Sequence, residues 1–222
     1  MEAEARDAEY VIVTEPSEDA AGHLKTRRKG LGEFRLAVEG KASHAGANPG
    51  KGISAIHELA HQVLAVQSLA RPQAGTTVNV GLINGGTARN TVPAYAEAMV
   101  DVRVKGPEEA ERVTRALRAI RPVIENARIT VEDGFHRPPM LRTPAVAALA
   151  GRVKALALEL GTELGEASSG GGSDANLTAA LGVPTVDGMG AVGKNPHAEG
   201  ENVVEGELVR RCALLAHVVA SL

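Results

Sequence analysis

The chain has 222 residues, 44% of them hydrophobic, and its 27 acidic and 24 basic side chains give a formal net charge of −3. This balance argues against nucleic acid or an acidic membrane surface as a partner, and no apolar run reaches the roughly 20 residues of a membrane-spanning helix. The single cysteine, Cys212, excludes an internal disulfide, and the N-terminus does not resemble a signal peptide, so we expect a cytoplasmic protein.

The first 28 residues contain one predicted strand and a charged segment. Residues 10–14 are apolar and β-branched, which predicts a short buried strand that Glu15-Pro16 ends. Glu15 is either a salt-bridge partner or a site residue, because ligands bind at the carboxyl ends of strands in open α/β sheets. Four basic residues follow in a segment that we interpret as a solvated polar loop: Lys25, Arg27, Arg28 and Lys29.

The middle of the chain alternates regularly between strand and helix patterns. Strands are predicted at 33–39, 76–83, 94–104 and 128–132, and helices over 53–71 and from Pro107 onwards. The order β-α-β-β-α-β is that of a ferredoxin-like domain, a four-stranded antiparallel sheet with two helices on one face. We therefore predict an α+β domain over residues 29–138.

The C-terminal part predicts an α/β arrangement. A helix begins at Thr143-Pro144, strands are predicted at 164–167 and 183–187, and a closing helix places Cys212 in the core. Strands that alternate with helices indicate a parallel or mixed sheet. Residues 1–28 and 139–222 would thus form one α/β domain into which residues 29–138 are inserted.

A glycine-rich stretch within this part has the composition of a binding site. Gly170, Gly171 and Gly172 precede Ser173 and Asp174 at the start of a short helix, where exposed N–H groups suit an anion. The loop after the next strand carries His197, a side chain that can reach a metal or a reacting group. The alternative interpretation of this stretch is a flexible connector.

Five segments, taken in this order, go beyond these general patterns: Val13-Thr14-Glu15-Pro16-Ser17; Gly40-Lys41-Ala42-Ser43-His44-Ala45-Gly46; Gly85-Gly86 with Asn90-Thr91-Val92-Pro93; Asp101-Val102-Arg103; and Gly170-Gly171-Gly172-Ser173-Asp174 followed by Asn195-Pro196-His197. Together they resemble the di-zinc amidohydrolase and peptidase family of glutamate carboxypeptidases, acetylornithine and succinyl-diaminopimelate deacylases, and aminoacylases. The resemblance covers essentially the whole chain, and it is greatest to the glutamate carboxypeptidase branch.

The resemblance implies a catalytic α/β domain that holds two zinc ions and an inserted ferredoxin-like lid domain that forms a homodimer. It makes Glu15 a carboxylate ligand of one zinc and His197 the histidine ligand of the other, and zinc accepts both types. It places His44 in the active site of the partner subunit, where it would help to stabilise the oxyanion.

The same resemblance assigns the substrate contacts. Asn90 and Arg103 would hold the carboxylate end of the substrate, since arginine suits a bidentate grip. Gly171 and Gly172 would offer backbone N–H groups, and Lys25 and Arg137 match basic positions of the carboxypeptidase branch. From its place in a strand alone, Arg103 is also compatible with an ion pair on the face of the sheet.

Family members carry a His-x-Asp motif, a bridging aspartate and a Glu-Glu pair upstream of the Glu-Pro strand, and this sequence contains no His-x-Asp. We therefore expect the chain to represent the C-terminal part of a zinc-dependent exopeptidase or deacylase that hydrolyses an amide bond next to a free carboxylate. Its substrate would be a small peptide or an N-acyl amino acid. The alternative is a non-catalytic dimerisation or binding module, inactive alone.

Two other interpretations concern the inserted domain. The β-α-β-β-α-β order is also that of RNA-recognition domains, but these need aromatic platforms and a basic face. Phe34 and Tyr95 are the only aromatic residues of the first and third strands, so we expect no nucleic-acid partner. His57 and His61 lie one helical turn apart, a spacing that can bind a metal or that can belong to a surface or dimer contact.

Overall fold

The protein is described by a computed structural model that covers residues 2–222. The helices are α1 (Glu2–Arg6), α2 (Ala55–Gln67), α3 (Pro107–Arg118), α4 (Pro144–Glu159), α5 (Ala175–Ala180) and α6 (Glu205–Ser221), with 3₁₀ turns at Pro49–Lys51 and Pro72–Ala74. The strands are β1 (Val11–Ile12), β2 (Leu24–Arg28), β3 (Gly30–Glu39), β4 (Ser43–His44), β5 (Thr77–Gly85), β6 (Thr91–Val92), β7 (Tyr95–Val104), β8 (Arg128–Arg137), β9 (Glu166–Ser169), β10 (Thr185–Val186), β11 (Gly193–Lys194) and β12 (Asn202–Val203).

The chain divides into two compact units. The split unit consists of the chain up to Lys29 together with Arg137–Leu222, and the inserted unit consists of Gly30–His136.

The inserted unit contains a four-stranded sheet with the order β5-β7-β3-β8. β7 pairs antiparallel with both β3 and β5, and the β3–β7 ladder runs without interruption from Gly30 opposite Val104 to Glu39 opposite Tyr95. With α2 after β3 and α3 after β7, this is the ferredoxin-like arrangement that the sequence predicts.

One face of this sheet packs against both helices. Every second residue of β3 and β7 is buried, as the period of two in a strand requires. These residues share one apolar cluster with the inner faces of the helices, and the cluster includes Phe34, Leu36, Leu59 and Leu117. Because the residues of both helices belong to the same cluster, α2 and α3 cover the same face of the sheet.

The split unit has a mixed sheet built from short strands. β1 runs parallel to β10, and β2 runs parallel to β9. An antiparallel bridge between Lys25 and Asp187 connects β2 to the residue that follows β10. Leu24, Val153 and Leu214 belong to the apolar cluster that packs α4 and α6 against these strands.

Three details of the split unit differ from the sequence prediction. Residues 24–28 form β2 rather than a solvated loop, and Lys25 and Arg28 are buried because the strand lies between β9 and the end of β10. The strand predicted at 10–14 has only two residues and is half-buried. Cys212 is exposed, so its assignment to the core is wrong.

The error at Cys212 has a simple geometric reason. The buried residues of α6 are Arg211, Leu214 and Val218, so the inner face of the helix begins one residue before the cysteine. Several apolar residues on the outer side of α6, including Val209 and Val219, are exposed and do not mark the buried face. Within residues 2–222, no helix combines the length and the apolar character needed to cross a membrane.

Candidate functional site

The polar centre of the split unit is the Asp187 cluster, which consists of Arg28, Ser173 and Asp187. Asp187 is fully buried, and Arg28 is 4% exposed. The carboxylate of Asp187 accepts hydrogen bonds from Nε of Arg28 at 2.6 Å, from Oγ of Ser173 at 2.5 Å and from the N–H of Gly188 at 2.5 Å. A buried ion pair is tolerated when further hydrogen bonds satisfy both charges, and this pair has them.

The Asp187 cluster fixes the glycine-rich stretch. Nη1 of Arg28 donates to the carbonyl oxygen of Gly171 at 2.8 Å, and Oγ of Ser173 accepts from the N–H of Ala175 at the start of α5. The N–H of Gly171 faces Oγ of Ser169 at 3.4 Å. These bonds anchor the backbone on both sides of Gly172, so the stretch is held in place and is not a flexible connector.

Two of the three basic residues of the predicted substrate site, Lys25 and Arg137, contact residues of this cluster or of the glycine-rich stretch. Nη1 of Arg137 is 3.1 Å from Oδ1 of Asp174 and 3.4 Å from the carbonyl oxygen of Ser173. Lys25 exchanges two backbone hydrogen bonds with Asp187, and its Nζ is 3.4 Å from a carboxylate oxygen of Glu18. Lys25 is thus joined to Asp187 through its backbone, and Arg137 lies beside Ser173 and Asp174 at the end of the glycine-rich stretch.

Glu15 and His197 lie in the loops that leave the carboxyl ends of two neighbouring strands. Glu15 follows β1, and its carbonyl oxygen accepts the N–H of Gly190, in the segment that follows β10. His197 lies between β11 and β12 with a left-handed backbone, φ 60°. Both side chains are exposed, and the parallel pairing of β1 with β10 sends both loops to the same edge of the sheet.

The ligand set for zinc is incomplete in this chain. Structural and catalytic zinc sites in proteins use three or four ligands from His, Cys, Asp or Glu. Across residues 2–222, no group of three or more such side chains is arranged to hold a metal ion. Among the side chains of residues 2–222, Glu15 and His197 therefore do not belong to a complete set of zinc ligands.

His44 and Asn90 lie together in the inserted unit. β4 pairs with β6, which places His44 opposite Thr91, and the carbonyl oxygen of Asn90 accepts the N–H of Ala45 at 2.9 Å. Nδ1 of His44 accepts the N–H groups of Gly46 at 3.1 Å and Ala47 at 3.0 Å. This pattern assigns the proton of the neutral imidazole to Nε2, so the exposed ring presents a hydrogen-bond donor.

A cavity of about 320 Å³ lies beside this pair, and its lining includes Ala42, Asn84, Thr91 and Tyr95. Its volume is at the lower end of the range for small-molecule sites. Two of the lining residues flank the pair directly, since Ala42 lies two residues before His44 and Thr91 follows Asn90.

Arg103 lies at the other end of the same sheet. Tyr95 and Arg103 are eight residues apart on β7, which corresponds to roughly 27 Å at about 3.4 Å per residue. Nε and Nη2 of Arg103 donate to the two carboxylate oxygens of Asp101 at 2.9 and 3.0 Å, so the ion pair that the sequence left open is formed. Within one chain, Arg103 is not near His44 and Asn90, and its role in substrate binding stays a prediction.

Sequence reasoning missed three residues that organise the split unit: Arg28, Asp187 and Arg211. Arg211 is 5% exposed and donates to the carbonyl oxygens of Gly22 and Gly190, both at 2.9 Å, and of Gly188. Burial lowers the pKa of Arg211 from its ordinary value. The signal for Arg211 was its spacing from Leu214 and Val218, which places the three on one face of α6, whereas Arg28 and Asp187 carry no such local pattern.

Comparison with known proteins adds to this geometry. Residues 26–124 match the M20 peptidase dimerisation domain. Carboxypeptidase G2 of Pseudomonas sp. (strain RS-16) is 28% identical, with 100% of this chain and 54% of that protein covered, and the uncharacterised protein YqjE of Bacillus subtilis (strain 168) is 30% identical, with 91% and 55% covered. The crystal structure of aminopeptidase PepT from Bacillus cereus superimposes with a TM-score of 0.77 at 24% identity, over 98% of this chain and 60% of that one.

The chain thus spans about half the length of the relatives that it matches. The fold of both units, the matched domain and the two homologues agree with the family resemblance found in the sequence. Residues 26–124 thus match the M20 peptidase dimerisation domain, and the whole chain is homologous to about half of carboxypeptidase G2.

Proposed function

We propose that this chain is the C-terminal part of a zinc-dependent exopeptidase or deacylase that hydrolyses an amide bond next to a free carboxylate. The observation that carries the proposal is the pair of His44 and Asn90. A fixed N–H donor on an imidazole suits an oxyanion that develops at a scissile carbonyl, and the amide beside it suits a substrate carboxylate. Carboxypeptidase G2, a homologue across the full chain, is a peptidase by name.

In this proposal the split unit supplies the other contacts. Glu15 and His197 would each provide one zinc ligand, and the remaining ligands of two zinc ions would have to come from outside residues 2–222. Lys25, Arg137 and the Gly171-Gly172 backbone would contact a small peptide or N-acyl amino acid. The Asp187 cluster would hold these groups in place, because it is bonded to the backbone around them. A cytoplasmic location belongs to the same proposal.

A homodimer forms through the β5 edge of the inserted unit in this proposal. β5 is an edge strand with no charged residue, and Leu82 and Ile83 on it are 62% and 57% exposed. The opposite edge strand, β8, carries Arg128, Glu132 and Asp133, and charged side chains protect an edge from pairing. The family of the matched domain is a dimerisation domain, which supports pairing of β5 with its copy.

The dimer explains the separation of the predicted site residues. His44 and Asn90 lie at the β4–β6 pair, beside the Tyr95 end of β7, whereas Arg103 lies near the other end of β7, so one chain does not offer all three to a single substrate. A second copy removes this conflict if His44 and Asn90 of one chain serve the site of the other.

Hydrolysis of an N-acyl-glutamate in the presence of zinc tests the activity. We expect no turnover by the 222-residue chain, and turnover by the protein that its gene encodes together with the upstream sequence. In that longer protein His44→Ala should lower kcat about 100-fold or more, the typical cost of removing one oxyanion donor. Turnover by the 222-residue chain alone would show that its ligand set is complete.

Mixing of two inactive variants tests the exchange between subunits. The two variants, His44→Ala and His197→Ala, are made in the longer protein. When their subunits are mixed in equal amounts, half of the dimers are heterodimers. If His44 acts on the partner's site, each heterodimer keeps one intact site, and about a quarter of the activity returns. No recovery after verified subunit exchange would mean that His44 serves its own chain.

A second candidate function is a dimerisation module without catalysis. The incomplete ligand set within residues 2–222 favours it for the chain alone. A stable dimer that binds no zinc at Glu15 and His197, encoded by a gene with no upstream metal-ligand motifs, would support this candidate over the enzyme.

A further inference from the structure

Two histidines stand side by side on the outer surface of α2. His57 and His61 are exposed, and their ring centroids are 4.9 Å apart with an angle of 35° between the ring planes. The buried side of the helix, which includes Glu58 and Gln62, faces the core. The two imidazoles therefore lie on the face of α2 that is turned away from the sheet.

The spacing of the rings agrees with chelation of one metal ion. A zinc–nitrogen bond of about 2.0–2.1 Å places the centre of an imidazole roughly 3.2 Å from the metal. Two such rings at ligand angles between about 90° and 109° have centroids about 4.5–5.2 Å apart. The observed 4.9 Å lies inside this range without any change of the helix.

Residues 2–222 supply these two ligands and no third. Glu58, the carboxylate nearest in sequence, is engaged on the inner side, where it accepts from Nε2 of Gln62 and from the N–H groups of Val123 and Ile124. Throughout the part of the chain that the structure describes, His57 and His61 belong to no group of three His, Cys, Asp or Glu side chains. Water would complete the coordination.

We propose that His57 and His61 form a surface site for one borderline divalent ion, of the class of Zn²⁺, Ni²⁺ and Cu²⁺, bound by two imidazoles. Imidazole is a preferred ligand for these three ions, whereas Mg²⁺ and Ca²⁺ prefer oxygen. The site lies entirely on one helix of the inserted unit and uses neither Glu15 nor His197. It does not depend on the proposed peptidase function or on the dimer.

Calorimetric titration of the metal-free chain with Ni²⁺ tests the site. We expect one ion per chain at this site, and an affinity at least about tenfold lower for His57→Ala and for His61→Ala, since loss of even an outer-shell partner costs about 10–100-fold. Both variants should fold, because the capping bond to Ser54 uses the backbone N–H of His57 and both side chains are exposed. Unchanged affinity in the two variants would overturn the proposal.

A respaced variant controls for the number of histidines. His61→Ala/Ala65→His keeps two histidines on exposed positions of α2, but about 12 Å apart along the helix axis. This variant should lose Ni²⁺ affinity as His61→Ala does. Two further variants should retain the wild-type affinity: His136→Ala, which removes an exposed histidine elsewhere in the inserted unit, and Glu15→Gln/His197→Ala. Wild-type Ni²⁺ affinity in the respaced variant would overturn the proposal that His57 and His61 bind one ion together.

A spectroscopic readout locates the ion. Substoichiometric Cu²⁺ should broaden the ring-proton NMR signals of His57 and His61 before those of His136 and His44. Broadening of all exposed histidines at the same Cu²⁺ concentration would show non-specific binding and overturn the proposal.

Discussion

The two units bury different amounts of charge. The inserted unit packs around a large apolar cluster, buries the carboxylate of Glu58 against the N–H groups of Val123 and Ile124, and leaves His44 and Asn90 exposed. The split unit buries charges, Arg28 with Asp187 and Arg211, and uses them to hold backbone carbonyl groups. One unit thus obtains its shape from apolar periodicity, and the other depends on a few polar contacts between residues far apart in sequence.

Removal of the Asp187 side chain should lower the free energy of unfolding more than any other change, because it leaves the buried guanidinium of Arg28 without its carboxylate partner. Asp187→Ala leaves Arg28 without its carboxylate, and breaking a buried pair in this way costs about 3–5 kcal/mol. Urea denaturation followed by circular dichroism measures the loss. Asp174→Ala is the matched control, since the Asp174–Arg137 pair is 47% and 30% exposed, and should cost less than about 1 kcal/mol. Equal losses in the two variants would contradict the dependence of the split unit on its buried Arg28–Asp187 pair.

A charge on the β5 edge should break the dimer while leaving the inserted unit folded. Leu82→Lys places a cation on the uncharged strand, and we expect the dimer dissociation constant to rise at least about 30-fold, equivalent to a hot-spot contact of about 2 kcal/mol. Sedimentation velocity at several concentrations measures it. Thr130→Lys on β8 is the control, and it should leave the association unchanged. If both substitutions act alike, β5 is not the interface.

The lowered pKa values of two carboxylates, one in each unit, predict how the stability of each unit changes at acid pH. Hydrogen bonding to Arg142 lowers the pKa of Glu166 to about 2, and in the inserted unit hydrogen bonding to Arg112 and Thr76 lowers the pKa of Glu109 to about 2. Because the folded-state pKa is depressed, each contributes stability above its ordinary value near 4.5, and this contribution is lost as the pH falls toward 2.

With allowance for solvent screening, each contribution is about 1–2 kcal/mol at neutral pH. Glu166→Gln should destabilise the split unit, and Glu109→Gln the inserted unit, by that amount at pH 7 and by almost nothing near pH 2. Hydrogen exchange of backbone amides, measured at several pH values, reports the two units separately. A pH-independent loss would show that the charge is not the cause.

The smallest expected effect concerns His44, whose tautomer is set by two backbone donors. ¹⁵N chemical shifts of the ring should show an unprotonated Nδ1 and a protonated Nε2. His44→Ala should change the unfolding free energy by no more than about 0.5 kcal/mol, because the side chain is exposed. The opposite tautomer would remove the donor on which the proposed oxyanion role depends.

The fold of the inserted unit was predictable because its strands have one buried face. The alternation of polar and apolar residues over 33–39 and 94–104 predicts β3 and β7 to within three residues at their ends. The charged part of the split unit was not predictable in this way. A buried lysine and arginine in β2 look like a solvated loop until Asp187, 159 residues after Arg28, is placed beside them.

The candidate site likewise contains residues that the sequence could predict and contacts that it could not. Strand ends indicated Glu15 and the His197 loop from local patterns, and the family resemblance indicated His44, Asn90 and Arg103. Neither source showed that Lys25 forms a backbone bridge with Asp187 or that Arg137 pairs with Asp174, because these contacts join segments far apart in the chain.

The contacts of Arg211 also affect the order in which parts of the protein fold during synthesis. Ribosomes release a chain from its N-terminus at about 5–20 residues per second, and domains generally fold as they emerge. The inserted unit ends at His136, whereas the turn at Gly188 and Gly190, which leads to His197, is fixed by the side chain of Arg211. The inserted unit can therefore fold before the loop of the predicted metal ligand is fixed.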